Sequence, residues 1–305
     1  MSDKPMISVI MSTYNEEERF LREAIESILN QTYSDFEFII GVDNPENQSL
    51  IAILNEYESK DIRVVVHVNE HNMGLAMTLN KLIALAKGDY IARMDADDKA
   101  EPERLEHQLK YMQDNDLDII SCDVNVIDEN DNIIQKMYNL PSADGQIRKK
   151  LKINNCMPHP GWMVRRELYE AIGGYEATPY CEDYEFLLKV RGGDYKFGNL
   201  NEPLLNYRMT SISISRANLY KQYLSMKYCQ AKYVSGQTVE FDSYIDSHYD
   251  AAEEIRYNKS AANFTSGLAA LKELKLIRAF SLLCKAFFGS RCYRDKMWKY
   301  LQQVL

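Results

Sequence analysis

The densest group of chemically capable side chains lies in Arg93-Met-Asp-Ala-Asp-Asp98, where Asp95, Asp97 and Asp98 put three carboxylates into four residues. Such a group repels itself and calls for a compensating cation. Hard carboxylate oxygens in a short tract suit Mg2+ or Mn2+, ions that typically bridge to the phosphates of a substrate. A further carboxylate, Asp43, stands before Asn44-Pro45 at the end of an apolar run. A lone Asp in that position serves turn geometry by default. A bare D-x-D tract also serves phosphatases that use the first Asp as a nucleophile, so both chemistries stay open on these residues alone.

The elements that must position these carboxylates follow from the hydropathy pattern. Short apolar runs predict strands over 7–11, 36–42, 63–68 and 90–94, and amphipathic runs predict helices over 16–31, 49–59, 75–86 and 101–113. Such alternation implies parallel βαβ units with helices on both faces. Sheets of this kind bind ligands at the C-terminal ends of their strands. Asp43 ends the second strand and Asp95 the fourth, so both would face one crevice. The pattern then changes: 118–127 and 133–137, separated by Asp128-Glu-Asn-Asp-Asn132, predict a hairpin. Met157-Pro-His-Pro-Gly161 leads into a short element ending at Gly173-Gly174, and beyond about residue 213 the pattern is helical.

The 305 residues hold 45 acids against 36 Lys and Arg, a net charge of −9. The imbalance is uneven: 272–305 carries eight Lys and Arg against two acids, +6, which leaves −15 on the rest. An acidic body excludes a general nucleic-acid binder, which needs a basic face. The six cysteines form no C-x-x-C pair, so neither a zinc knuckle nor a disulfide framework is expected. The amino terminus shows no charged-then-apolar leader, and no apolar run approaches the ~18 residues of a membrane span. The expected location is cytoplasmic.

A series of short motifs gives these residues a context. Ser8-Val-Ile-Met-Ser-Thr-Tyr-Asn15 and Ile25-Glu-Ser-Ile-Leu-Asn-Gln-Thr-Tyr33 precede Phe36-Glu-Phe-Ile-Ile-Gly-Val-Asp43. Asn72-Met-Gly-Leu-Ala76 with Asn80, Gly88-Asp-Tyr-Ile-Ala92, Asp95-Ala-Asp-Asp98 and Pro102-Glu-Arg-Leu105 follow. Gly173-Gly-Tyr175, Glu182-Asp-Tyr-Glu185 and Tyr207-Arg208 complete the set. In this order, over about 7–215, the chain resembles the inverting glycosyltransferases of family 2, which have the GT-A fold. One departure stands out: relatives usually show Asp-Asp-Gly-Ser, where this chain has Val42-Asp43-Asn44-Pro45 and keeps only the second Asp.

The resemblance implies an α/β fold of GT-A type over 1–212, a mostly parallel central sheet flanked by helices. Its nucleotide-binding half would cover about 1–115 and its acceptor half about 116–212, with a helical extension over 213–305. It implies that Asp43 binds the nucleotide base. A carboxylate accepts from the imide N–H that uracil, thymine and guanine offer and cytosine lacks, which favours UDP, TDP or GDP sugars, UDP first. Thr13, Tyr14 and Glu16, in the turn after the first strand, would line the same pocket, with Asn15 a candidate helix cap. Asp95 would meet the ribose and Asp97 a divalent metal. That ion would let an acidic cleft accept a diphosphate and would neutralise the departing nucleoside diphosphate.

Asp183 matches the family's general base, which inversion by one in-line displacement requires. On residue chemistry alone, Glu182 and Asp183 would merely favour the N-terminal dipole of a helix over 184–190. Arg208 is expected at the diphosphate, and His159 and Glu182 on the acceptor side. The implied activity is transfer of one sugar to a saccharide or lipid-linked saccharide in surface polysaccharide or glycolipid assembly. The rivals are a metal-dependent D-x-D phosphatase, whose tract normally opens the first core strand, and a catalytically silent nucleotide-sugar-binding scaffold.

The basic tail carries two apolar stripes, Leu276, Phe280, Leu283 and Phe287, then Tyr293, Met297, Leu301 and Val304, among eight Lys and Arg. Two roles are expected of it: a helix pair packed on the catalytic domain or in a homodimer, or a peripheral contact with anionic lipid at the inner face of the membrane.

Overall fold

The computed structural model of the chain describes residues 5–209 and 218–304, with side chains described as far as Lys299. Four parallel strands stand in the spatial order β3-β2-β1-β4: β1 (Ile7–Thr13), β2 (Phe36–Val42), β3 (Val64–Val68) and β4 (Tyr90–Asp95). β1 and β2 are buried along nearly their whole length. Parallel strands covered on both faces read as near-continuous apolar runs, which is why ISVIMST and FEFIIGV do not alternate. The connections are helices α1 (Glu18–Leu29), α2 (Gln48–Lys60) and α3 (Leu75–Leu85). α1 buries Phe20, Leu21, Ala24, Ile25 and Ile28. The large ones among them contribute roughly 1.5–3 kcal/mol each. Asn47 caps α2 by accepting from the Leu50 N–H.

The chain then passes through β5 (Lys99–Ala100), α4 (Arg104–Asn115), β6 (Ile119–Ile127), β7 (Ile133–Met137) and α5 (Asp144–Leu151). It continues with β8 (Met163–Arg165), α6 (Arg166–Ile172), α7 (Glu182–Arg191) and β9 (Phe197–Arg208). Among the described residues the sheet has nine strands and extends as β4-β8-β6-β9-β5, with β7 paired to β6. β8 runs antiparallel between β4 and β6, while β9 is parallel to β6. The predicted hairpin forms as β6–β7, its turn organised by Asp128 Oδ1, which accepts from the N–H groups of Asn130 at 2.8 Å and Asn132 at 2.9 Å. β9 is absent from the hydropathy reading because Asn199, Asn201 and Pro203 interrupt it. The sheet absorbs the proline through register shifts around Asp123, which lies opposite Pro203.

The chain divides into two compact units. One comprises Met1–Leu151, Asn155–Ala177 and Lys189–Thr210; the other comprises Lys152–Asn154, Thr178–Leu188 and Ser211–Leu305. The boundary expected near residue 212 lies outside the described residues. The first part of α7, expected with the sheet, groups with the C-terminal helices instead. Local hydrogen bonds explain this. Glu185 is fully buried and accepts from Tyr233 Oη at 2.6 Å and from Thr178 Oγ1, while Gln230 Nε2 donates to the Ile153 carbonyl at 2.7 Å. The core of this second unit is built from Tyr220, Tyr223, Leu224, Tyr257, Ala261, Ala286 and Tyr293. Among the described residues, no helix is long and apolar enough to cross a membrane.

Candidate active site

Parallel pairing brings three strand ends together. Thr13 pairs with Val42 and Ser12 with Asp95. Asp43 and the Asp95–Asp98 turn therefore flank the end of β1, at the edge where open α/β sheets bind ligands.

Asp43 is buried, and its carboxylate takes four hydrogen bonds. Oδ1 accepts from Asn69 Nδ2 at 2.9 Å, Thr78 Oγ1 at 2.9 Å and the Met73 N–H at 2.8 Å; Oδ2 accepts from the Gly74 N–H at 2.9 Å. Met73 and Gly74 directly precede α3, so Asp43 acts as an external cap on that helix and complements its positive end. Gly74 itself, at φ +80°, adopts a backbone conformation that glycine favours. Oδ2, with a single donor, keeps the capacity to accept one more.

The D-x-D turn is held from two sides. Arg93 lies two residues before Asp95 on the same face of β4, and its guanidinium forks onto the carboxylate, Nη1 reaching Oδ2 at 2.7 Å and Nη2 meeting Oδ1. Asp98 is fully buried; Oδ1 accepts from the Arg208 N–H at 2.7 Å, and Oδ2 has no hydrogen-bond partner among the described residues. Burial, then the charges of Asp95 and Asp97, raise the Asp98 carboxyl well above the usual range. Burial also lifts Asp97 to about 7, with Asp95 and Glu16 adding repulsion. Glu16 accepts from the Tyr14 N–H at 2.8 Å, and burial raises it despite that bond, with Asp95 contributing.

Among the described residues, no three His, Cys, Asp or Glu side chains form a ready-made metal cage. The donor set nevertheless fits a hard divalent cation. Asp97, Asp95 and Glu16 are crowded carboxylates that a positive charge would relieve together, and a nucleotide's phosphates supply oxygens to such an ion.

The remaining candidates are placed as follows. Thr13 is buried and donates from Oγ1 to the Gly41 carbonyl at 3.2 Å, while Tyr14 is exposed. Asn15 does not cap α1; its Oδ1 accepts from Asn44 Nδ2 at 2.7 Å and Asn47 Nδ2 at 3.2 Å, tying the first strand-helix turn to the second. Glu182 and Asp183 open α7, which starts two residues earlier than expected, and Asp183 Oδ1 accepts from the Tyr184 N–H at 2.6 Å. His159 is buried against Trp162, with Nε2 at 2.8 Å from Tyr175 Oη. Burial, reinforced by the charge of Arg93, holds its ring well below the usual histidine range.

Arg208 differs most from expectation. Its side chain is fully buried and its guanidinium is spent on protein groups: Glu23 Oε2 at 2.8 Å, Asp131 Oδ1 at 2.7 Å and the Asp97 carbonyl at 2.9 Å. It braces the turn from beneath.

Three residues that stand in the quoted motifs without an expected role, Arg93, Arg104 and Asn80, prove to be supports. The i, i+2 spacing of Arg93 and Asp95 on a strand was a usable signal. Arg104 was visible only as a motif residue, because a fully buried arginine runs against composition; its Nη2 donates to the carbonyls of Arg93 at 2.6 Å and Pro160 at 2.9 Å. Asn80 clamps the backbone of Tyr175, donating to its carbonyl at 2.9 Å and accepting from its N–H at 2.8 Å.

Comparison with known proteins bears on this arrangement. Residues 8–173 match the model of glycosyl transferase family 2. An uncharacterized glycosyltransferase of Methanocaldococcus jannaschii is 40% identical over 227 residues, 74% of this chain and 78% of that protein. The O-antigen biosynthesis glycosyltransferase WbnJ of Escherichia coli is 34% identical over 236 residues, 77% of this chain and 91% of that protein. Among solved structures, S. aureus TarS in complex with UDP-GlcNAc aligns with a TM-score of 0.62 at 15% identity, over 93% of this chain and 92% of that one. The mannosyltransferase PcManGT from Pyrobaculum calidifontis, in complex with GDP-Man and Mn2+, gives 0.58 at 17% identity, over 99% and 85%. At these identities the likeness shows the fold, which is GT-A. The matched sequence runs from β1 through the carboxylate turn to Gly173, more than half of the chain, and the protein belongs to glycosyltransferase family 2.

Proposed function

We propose that this glycosyltransferase moves one sugar from a UDP-sugar to an acceptor hydroxyl with inversion, assisted by a divalent cation. The observation that carries the reading is the crowding of Asp95, Asp97 and Glu16 beside the end of β1, with the proximal acceptor oxygen of Asp43 on the other flank. Asp43 Oδ2 would accept from the imide N–H of uracil, the turn Thr13–Glu16 would line the base pocket, and Asp95, fixed by Arg93, would hold the ribose. Asp97 would hold the metal, with Glu16 and Asp95 nearby. When bound, the ion neutralises charge on the nucleoside diphosphate as it leaves.

Asp183 is the proposed base. Its place in the first turn of α7 favours the ionised carboxylate through the helix dipole. The acceptor oxygen attacks the anomeric carbon as the bond to the diphosphate breaks, and its proton passes to Asp183. The acceptor would be a saccharide or lipid-linked saccharide in surface polysaccharide or glycolipid assembly. The naming of WbnJ for O-antigen biosynthesis supports that setting.

The test is a panel of UDP-, TDP- and GDP-sugars, with and without Mn2+, read as nucleoside diphosphate release. UDP-sugar turnover that Asp183→Asn abolishes while nucleotide binding survives is the expected result. Undiminished turnover by Asp183→Asn would remove Asp183 from the role of base.

A further inference from the structure

Within the second unit, the helix Leu276–Gly289 rests on its neighbours through Ala279 and Ala286, both fully buried and seven residues apart on one face. Its opposite face is apolar and open. Ile277 is 89% exposed, Phe288 73% and Phe280 72%, with Leu276 at 64% and Leu274, in the preceding turn, at 81%. The helical repeat sets Ile277, Phe280, Cys284 and Phe288 along one outward stripe. The stripe Leu276, Phe280, Leu283 and Phe287, for which packing and a lipid contact were both expected, is divided: Leu276 and Phe280 are exposed, Leu283 and Phe287 partly buried. Small alanines occupy the inward line instead. A single exposed apolar residue is ordinary, but five large ones on one helix and its leading turn mark an interaction surface.

The charge beside the stripe has one sign. Arg278 and Lys285 stand next to it, with Lys272 and Lys275 at one end and Arg291 and Arg294 at the other, all exposed. The one acid in 272–294 is Glu273, paired with Lys275 at 2.7 Å. We propose that this face docks on a lipid bilayer bearing anionic headgroups. Ile277, Phe280 and Phe288 enter the boundary between headgroups and acyl chains, while Arg278 and Lys285 meet the headgroup phosphates. Charge decides against a second copy as the occupant. A two-fold interface would set this cationic patch against itself, whereas an anionic surface is complementary to it. Apolar insertion and basic attraction together supply the two signals that stable peripheral binding needs.

The test is sedimentation of the full chain with vesicles of phosphatidylcholine alone or mixed equally with phosphatidylglycerol. The expected result is binding to the mixed vesicles, weakened by salt, and little binding to the neutral ones. Two double variants, Ile277→Glu with Phe280→Glu and Arg278→Glu with Lys285→Glu, should each lower partitioning by at least about tenfold. Their melting temperatures should stay at the wild-type value, because all four side chains are exposed. Absence of a preference for anionic vesicles would overturn the proposal, as would full binding by both variants. So would a dimer in sedimentation velocity that Ile277→Glu with Phe280→Glu dissolves in a protein that ignores vesicles.

Discussion

The backbone N–H of Arg208, at the end of β9, donates to Asp98 Oδ1 at 2.7 Å across 110 residues of chain. The same residue's guanidinium reaches the Asp97 carbonyl, Glu23 and Asp131. One arginine thus fixes the turn that carries the candidate metal ligand, without itself facing solvent. Arg208→Met should therefore destabilise the protein in the absence of any nucleotide. Removing one partner of a buried charge cluster typically costs about 3–5 kcal/mol. Urea unfolding measures this; unchanged stability would mean that the guanidinium is free to serve a ligand instead.

The clamp between Asn80 and Tyr175 predicts a second sensitivity. Gly174 has φ +72°, and a Cβ there would sit 2.4 Å from Asn80 Oδ1. Gly174→Ala must strain the backbone and push Asn80 off the Tyr175 peptide, a loss of roughly 2–3 kcal/mol. Gly145→Ala, with nothing within 4 Å of the added carbon, is the matched control and should be neutral or slightly stabilising. Equal melting temperatures for the two variants would refute the clamp.

Asp43 carries a structural duty alongside its proposed role. Asp43→Ala removes the acceptor of the Met73 N–H and of Thr78 Oγ1, while the Gly74 N–H keeps Asn72 Oδ1 and Asn69 Nδ2 keeps Thr78 Oγ1. A stability loss of about 1–3 kcal/mol follows from the orphaned donors, measurable by thermal unfolding without ligand. Nucleotide affinity of this variant is informative at temperatures where it stays folded.

Acid stability should depend on Glu253. Burial opposes its charge, but hydrogen bonds from the Cys292 N–H at 3.0 Å, Ser290 Oγ at 2.7 Å and Arg256 Nε at 2.7 Å prevail and hold its carboxyl down at about 2. A depressed acid contributes stability that is present above its unfolded value and lost as pH falls toward the folded one. The wild type should accordingly lose on the order of 3 kcal/mol between about pH 4.5 and about pH 2. Glu253→Gln should show a flatter profile in that window. Parallel curves would rule out this linkage.

β1 and β2 were legible because they are buried on both faces, so 36–42 carries its hydropathy at the right bounds; 133–137, exposed along most of its length, was legible from the Asn/Asp turn that precedes it. β9 was hidden by Asn199, Asn201 and Pro203, since its pairing with β6 is set by a distant strand rather than by its own propensity. The carboxylates of the candidate site were visible as residue types and motif order. Their supports were not. That Arg208 lies under the turn and that Arg93 forks onto Asp95 are matters of burial and side-chain direction. The same limit applies to the helix Leu276–Gly289, where amphipathic spacing showed an apolar stripe and packing through Ala279 and Ala286 decided which way it points.

The most direct measurement is calorimetric titration of UDP into the full chain with Mn2+ and with chelator, for wild type and Asp97→Asn. The expected result is metal-dependent binding by the wild type, weakened at least tenfold by chelator and by the substitution, in line with the loss of one carboxylate ligand. Equal UDP affinity in all four conditions would contradict a metal-assisted nucleotide site at the Asp95–Asp98 turn.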